Sequence, residues 1–126
     1  VSRALQNVTI KCADYSESMD FIDSNTLVYL DPPYRPLKDR GSFTSYTEKD
    51  FDDSCQKELA GFIESISSKG AFVILSNSDP KCVDSDDDFF EELYADYDIQ
   101  RVNAKRLINS TPANRGCITE LLIKNY

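Results

Sequence analysis

Hydrophobic residues change their spacing several times along the 126 residues, and each change marks a new element. Val8, Ile10 and Cys12 alternate with polar neighbours, which predicts a short strand over Asn7 to Cys12. After a turn at Ala13 to Ser16, the residues Tyr15, Met19 and Ile22 recur at helical spacing, and the helix they predict ends near Ser24-Asn25. Leu27 to Leu30 is continuously apolar, the pattern of a strand covered on both faces, as in a parallel sheet. Phe51, Cys55, Leu59, Phe62, Ile63 and Ile66 form one apolar stripe, predicting a helix from about Asp50 to Ser68 with Gly70 as its terminator. Ala71 to Leu75 predicts a second buried strand, and Ser76-Asn77-Ser78-Asp79-Pro80 a turn at its carboxyl end. Phe89, Phe90, Leu93, Tyr94 and Tyr97 face inward on a helix predicted over Asp86 to Tyr97, with acids in the first turn where the helix dipole favours them. Ile99 to Ala104 alternates like a strand, Ser110 to Gly116 is a polar loop, and Ile118 to Ile123 is the last strand.

Strands alternating with helices predict an α/β sheet with crossovers, in which ligands sit at the carboxyl ends of strands. Asp14, Asp31 and the Asn77 to Asp79 segment all follow predicted strands, and Asp14 and Asp31 are the leading site candidates. Arg35 to Thr47 has no periodicity and reads as a long loop of the kind that carries function. No repeat, low-complexity segment or linker divides residues 1–126, which read as one unit.

Composition narrows this picture only in part. Forty per cent hydrophobic and 11% aromatic residues are enough for a globular core at this length. No apolar stretch is long enough for a membrane and no signal-peptide pattern opens the chain, so the expected location is cytoplasmic. The chain begins with Val1 and not Met, which points to a fragment or a processed chain. A formal charge of −8, with 22 acidic against 14 basic residues, predicts weak binding to nucleic acid by these residues alone. Asp84, Asp86, Asp87, Asp88, Glu91 and Glu92 form one acidic run, and Asp79 to Asp98 reads as the solvated back of the domain. Arg101, Lys105, Arg106 and Arg115 gather as a separate basic face. Four scattered cysteines without a C-x-x-C pair, and no histidine, argue against zinc and against an imidazole base; reduced thiols in a core are the expected state.

The sharpest chemical feature is Asp31-Pro32-Pro33-Tyr34, directly after the Leu27 to Leu30 run. A carboxylate leaves the end of a strand, two prolines lock their own φ and donate no hydrogen bond, and an aromatic ring stands beside them. That combination suits a flat ring whose amino group must be held. The tetrapeptide resembles the catalytic motif of Dam-type (D12 class) DNA adenine-N6 methyltransferases. Cys12-Ala13-Asp14-Tyr15, Phe43-Thr44-Ser45-Tyr46, Ser76-Asn77-Ser78-Asp79, Arg106, Asn109-Ser110, Arg115 and the closing Glu120 to Tyr126 resemble further segments of that family in the same order.

The resemblance implies the C-terminal catalytic half of a class I, Rossmann-like S-adenosylmethionine-dependent methyltransferase. The first two strands, with the glycine-rich cofactor loop and the acidic residue that holds the cofactor ribose, have no counterpart here, nor has the target-recognition domain. The implied cofactor is therefore S-adenosylmethionine at an incomplete site. The implied partner of the intact parent is double-stranded DNA, with a GATC-like site as a family-level expectation, and the fragment alone is expected to be inactive. The strand over Asn7 to Cys12, without its family neighbours, is expected to be displaced or to pair with another molecule, a route to self-association. Restriction-system, phage and host settings all stay open.

By the same resemblance Asp31 and the Pro32 carbonyl hold the adenine amino group, Pro33 stiffens the turn, and Tyr34 stacks on a flipped-out base. Asp14 and Tyr15 resemble residues flanking the cofactor adenine, while Asp14 also fits a helix N-cap. Phe43 and Tyr46 close over the base, contact phosphate, or fold back as a local anchor. Lys105, Arg106 and Arg115 meet DNA phosphate or form a solvated basic face. Asn77 and Asp79 are read chiefly as turn formers. No residue is assigned to a metal. Two other functions remain open: transfer to a glutamine or other amino group, for which an asparagine in place of Asp31 would be expected, and a non-catalytic binding remnant.

Overall fold

A computed structural model describes residues 5–37, 51–104 and 118–126. Along the chain lie a 3-10 helix (Tyr15–Phe21), strand β1 (Leu27–Leu30), helix α1 (Asp53–Ser68), strand β2 (Phe72–Ser78), a 3-10 turn (Pro80–Cys82), helix α2 (Phe89–Leu93), strand β3 (Asp98–Ala104) and strand β4 (Ile118–Lys124). The four strands form one sheet in the order β1-β2-β4-β3. β1 and β2 are parallel and joined through α1, whereas β4 runs antiparallel to both of its neighbours. The architecture is thus a mixed α/β sheet, with one parallel pair in place of the all-crossover pattern that alternation alone predicts. Among the described residues no helix is long and apolar enough to cross a membrane.

The core lies on one face of the sheet. Leu59, Phe62, Ile63 and Ile66 of α1 are buried with Val73 and Leu75 of β2 and Leu121 and Ile123 of β4, and Phe90 and Tyr94 close the far side. The register explains the grouping: Leu75 lies opposite Ile123 and Asn77 opposite Leu121, so alternate residues of neighbouring strands share the covered face. Asp52 caps α1 by accepting from the Ser54 and Cys55 amides at 2.9 and 3.0 Å. Gly70 ends it at φ +88°, where a Cβ would lie 3.1 Å from the Ser24 Cβ.

Several elements depart from expectation for identifiable reasons. Asn7 to Cys12 is not a strand. It has no ladder partner among the described residues, and Val8 and Ile10 are exposed, 51% and 77%. The segment is thus displaced from the sheet, one of the two outcomes expected for it. β1 is covered on one face only, since Leu27 and Tyr29 are about three-fifths exposed (61% and 60%). β2 continues through Ser76, Asn77 and Ser78, which pair with Leu122, Leu121 and Glu120 of β4, so the turn begins at Asp79. α2 is five residues long, its Asp88 N-cap making no side-chain cap bond, although Phe90 and Tyr94 are buried as their pattern requires. Asp79 is buried and takes the Arg101 guanidinium at 3.0 Å; it is not on a solvated back, and Arg101 is committed to acids and not to a basic face. Cys12 and Cys82 lie at the surface and not in the core.

Ile66 is fully enclosed at the centre of this core, so Ile66→Ala is expected to destabilise the fold by about 3 kcal/mol. The test is a lowered midpoint in urea unfolding at unchanged slope.

Candidate active site

β1 ends at Leu30, and the next five residues cross over the carboxyl end of β2. Pro32 and Pro33 keep this segment extended and deny it backbone donors. Its position must therefore be fixed by side chains from elsewhere, and β2 supplies them from both faces. Ser76 donates its hydroxyl to Asp31 Oδ1 at 2.8 Å, with the Tyr29 hydroxyl 3.3 Å away. Ser78 donates to the Arg35 carbonyl at 2.6 Å. From the opposite face, Asn77 Oδ1 accepts the Arg35 backbone N–H at 3.0 Å, and its amide nitrogen donates to Gln56 Oε1 at 3.1 Å. Gln56 Nε2 in turn donates to the Pro33 carbonyl at 3.2 Å.

Arg35 closes the loop. Its guanidinium is buried, donates to both Asp53 oxygens at 2.7 and 3.1 Å and to Asp87 at 2.8 Å, and lies 4.1 Å from the centroid of the Phe89 ring. Hydrogen bonding to Asp53 in particular holds its pKa above the ordinary arginine value, so the cation is permanent. The loop is thereby clamped to the start of α1 and to the segment leading into α2.

Beside Asp31 is a cavity of about 250 Å³ lined by Tyr15, Tyr29, Leu30, Asp31, Pro32, Pro33, Phe51 and Leu59. Its walls are flat and mostly apolar. Tyr15 is fixed in it by an edge contact with Phe62, centroids 5.1 Å apart, and burial raises its phenol pKa, so the ring stays neutral. Tyr34 stands outside the core, 37% exposed, with its hydroxyl 3.5 Å from Glu120; burial of the phenol also raises its pKa. Asp14 lines a separate pocket with Lys11, Ala13, Glu17, Ser18 and Phe21. Its carboxylate caps the 3-10 helix through the Ser16 amide at 2.9 Å, and hydrogen bonding from Ser16 lowers its pKa.

The structure therefore brings Tyr15 together with Asp31, Pro32 and Pro33 and keeps Asp14 apart from that cavity. Phe43, Tyr46, Lys105, Arg106 and Arg115 lie outside the described residues. Among the described residues no group of three or more His, Cys, Asp or Glu side chains is arranged to hold a metal ion. Ser76, Asn77, Gln56 and Arg35 are the residues that the sequence pattern left out of the site. Gln56 did carry a signal: it is a polar residue on the apolar stripe of α1, one turn before Leu59.

Residues 1–108 match the model of the D12 class N6 adenine-specific DNA methyltransferases. The chain is 44% identical over its full length to the type II methyltransferase M.MjaIII of Methanocaldococcus jannaschii, of which it covers 42%. It is 36% identical over its full length to the type II methyltransferase M1.LlaDCHI of Lactococcus lactis subsp. cremoris, covering 43%. A DNA adenine methylase of Escherichia coli K12 is 32% identical over 93% of the chain, which covers 40% of that protein. The chain thus spans about two fifths of the length of these relatives.

Arg35 joins three elements through charge-assisted bonds, so Arg35→Leu is expected to lower stability by about 2–3 kcal/mol, read by urea unfolding.

Proposed function

The chain belongs to the D12 class of N6 adenine-specific DNA methyltransferases, and from that premise we propose that it forms the catalytic half of an enzyme methylating the N6 amino group of adenine in DNA. The observation that carries the reading is the fixed Asp31 to Tyr34 loop at the end of β1, with its carboxylate beside the Tyr15 cavity. The sheet is read as part of a class I, Rossmann-like methyltransferase sheet.

Methyltransferases of this family use S-adenosylmethionine, which supplies an electrophilic sulfonium methyl group. The residues present fit one part of it. The cavity between Tyr15, Phe51, Pro32 and Pro33 has flat apolar walls suited to a purine ring. No glycine-rich run of backbone amides stands among the described residues to take the charged methionine portion. Tyr15 is assigned to the cofactor adenine. Asp14 is assigned a capping role first, with any cofactor contact made from its neighbouring pocket.

The chain's own residues act on the target base. An aromatic amino nitrogen is a poor nucleophile because its lone pair is delocalised into the ring. Asp31 Oδ1 is engaged by Ser76, which leaves Oδ2 to accept one amino hydrogen while the Pro32 carbonyl accepts the other. Two acceptors so placed draw the nitrogen toward tetrahedral geometry and aim its lone pair. Tyr34, exposed beside them, stacks on the extruded base, and base–aromatic stacking of about 1–3 kcal/mol offsets much of the unstacking cost. Phe43, Tyr46, Lys105, Arg106 and Arg115 are assigned to the base and the DNA backbone. The net charge of −8 places much of the affinity for DNA outside these 126 residues.

The test is transfer of a labelled methyl group to duplex DNA by the full-length protein, with the product identified as N6-methyladenine. Asp31→Ala is expected to lower the rate by about 1000-fold or more while leaving the melting temperature close to wild type. Transfer at the wild-type rate by that variant refutes the assignment.

A further inference from the structure

Two fully buried amides, Gln56 and Asn77, stand between α1 and the Asp31 loop, and their hydrogen-bond polarity is forced. Asn77 Oδ1 accepts from the backbone N–H groups of Arg35 and Ser78, at 3.0 and 2.9 Å. Its nitrogen must then face Gln56, whose Oε1 receives it at 3.1 Å. That leaves Gln56 Nε2 facing the Pro33 carbonyl, the contact found at 3.2 Å. Turning either amide over would set acceptor against acceptor, or donor against donor, in a site closed to water.

The two loop groups held this way are the Pro33 carbonyl and the Arg35 N–H. They belong to the two peptide planes on either side of the Tyr34 Cα. Fixing both planes fixes φ and ψ of Tyr34, and with them the direction of its Cα–Cβ bond. Neither amide lines the cavity beside Asp31.

We propose that Gln56 and Asn77 are positioning residues that set the direction of the Tyr34 ring, and through the same short loop the Asp31 carboxylate, toward the target base. This rests on the methyltransferase reading above. It adds that Gln56, a side chain that does not line the cavity, controls the rate through the loop it holds.

The test uses full-length protein with Asn77→Asp, Gln56→Met and, as a matched control, Asn125→Asp. Asn125 is a structural amide at the other end of β2, tied to Val73, Ala71 and Ser67 at 2.8–2.9 Å and remote from the loop. Asn77→Asp and Gln56→Met are expected to lower kcat by about 100-fold with cofactor affinity unchanged. Asn125→Asp is expected to lower the melting temperature while kcat per folded molecule stays at wild type.

A pH profile separates positioning from loss of structure. The introduced carboxyl in Asn77→Asp can donate to Gln56 only when protonated, and burial raises its pKa. Its kcat relative to wild type should therefore recover as pH falls, and that of Gln56→Met should not. Hydrogen exchange at the Arg35 amide supplies a readout independent of activity: about tenfold faster in Gln56→Met than in wild type, and unchanged in Asn125→Asp. Wild-type kcat in both loop variants, equal kcat losses in all three variants, or unaltered Arg35 exchange in Gln56→Met overturns the proposal. A wild-type protein that transfers no methyl group to adenine overturns the methyltransferase reading instead, and leaves the exchange difference standing.

Discussion

A buried amide without partners costs about 1–3 kcal/mol, and Gln56 and Asn77 are both closed off from water. Each can be satisfied only if the other keeps its orientation and the Pro33 and Arg35 backbone groups arrive at the right heights. That requirement reaches outward. It sets how far α1 stands from the sheet at its first turns, since Gln56 sits on the same stripe as Leu59 and Ile63. It also explains why β2 stays a strand through Ser78, because only continued pairing with β4 directs Asn77 to the covered face and Ser76 and Ser78 to the other. The loop is gripped from both sides of the sheet at once.

Charge completes what the amides begin. Arg35 takes Asp53 and Asp87, Lys81 takes Asp88 and Glu91, and Arg101 takes Asp79 and Glu91. Asp87, Asp88 and Glu91 of the acidic run thus pair with cations from the Asp31 loop, the turn after β2 and the middle of β3. Thr119 adds to the same cluster by donating to Asp79 at 2.5 Å. An acidic composition therefore coexists with local electrostatic order.

Short-range pattern carried β1, α1, the end of α1 at Gly70 and the final strand, because each is decided by which residues within one or two turns are apolar. Two things were out of its reach. Ser76-Asn77-Ser78 has the composition of a turn, and only the distant partner β4 makes it a strand. Val8 and Ile10 alternate as a strand should, yet alternation supplies no neighbour. Within the site, Asp31 to Tyr34 was legible because its chemistry is local. The residues that hold it were legible only in outline, Gln56 as a polar residue on an apolar stripe and Asn77 as a turn former, since they are 21 positions apart and meet only once the chain has folded. The acidic run misled for the same reason: its cations come from other elements.

One face of the sheet carries the core; the other shows Leu27, Tyr29 and Phe72 to solvent, with Tyr126 against Phe72. Whatever body covers that second face removes chiefly apolar surface from water. Burial of such surface carries a negative heat-capacity change and is driven near room temperature largely by entropy, so its driving force weakens on cooling. The clamped loop is tied by hydrogen bonds and ion pairs that do not share this dependence. The reacting groups are thus held by polar bonds within the chain, and the outer face is apolar surface of the kind whose burial is favoured less as temperature falls.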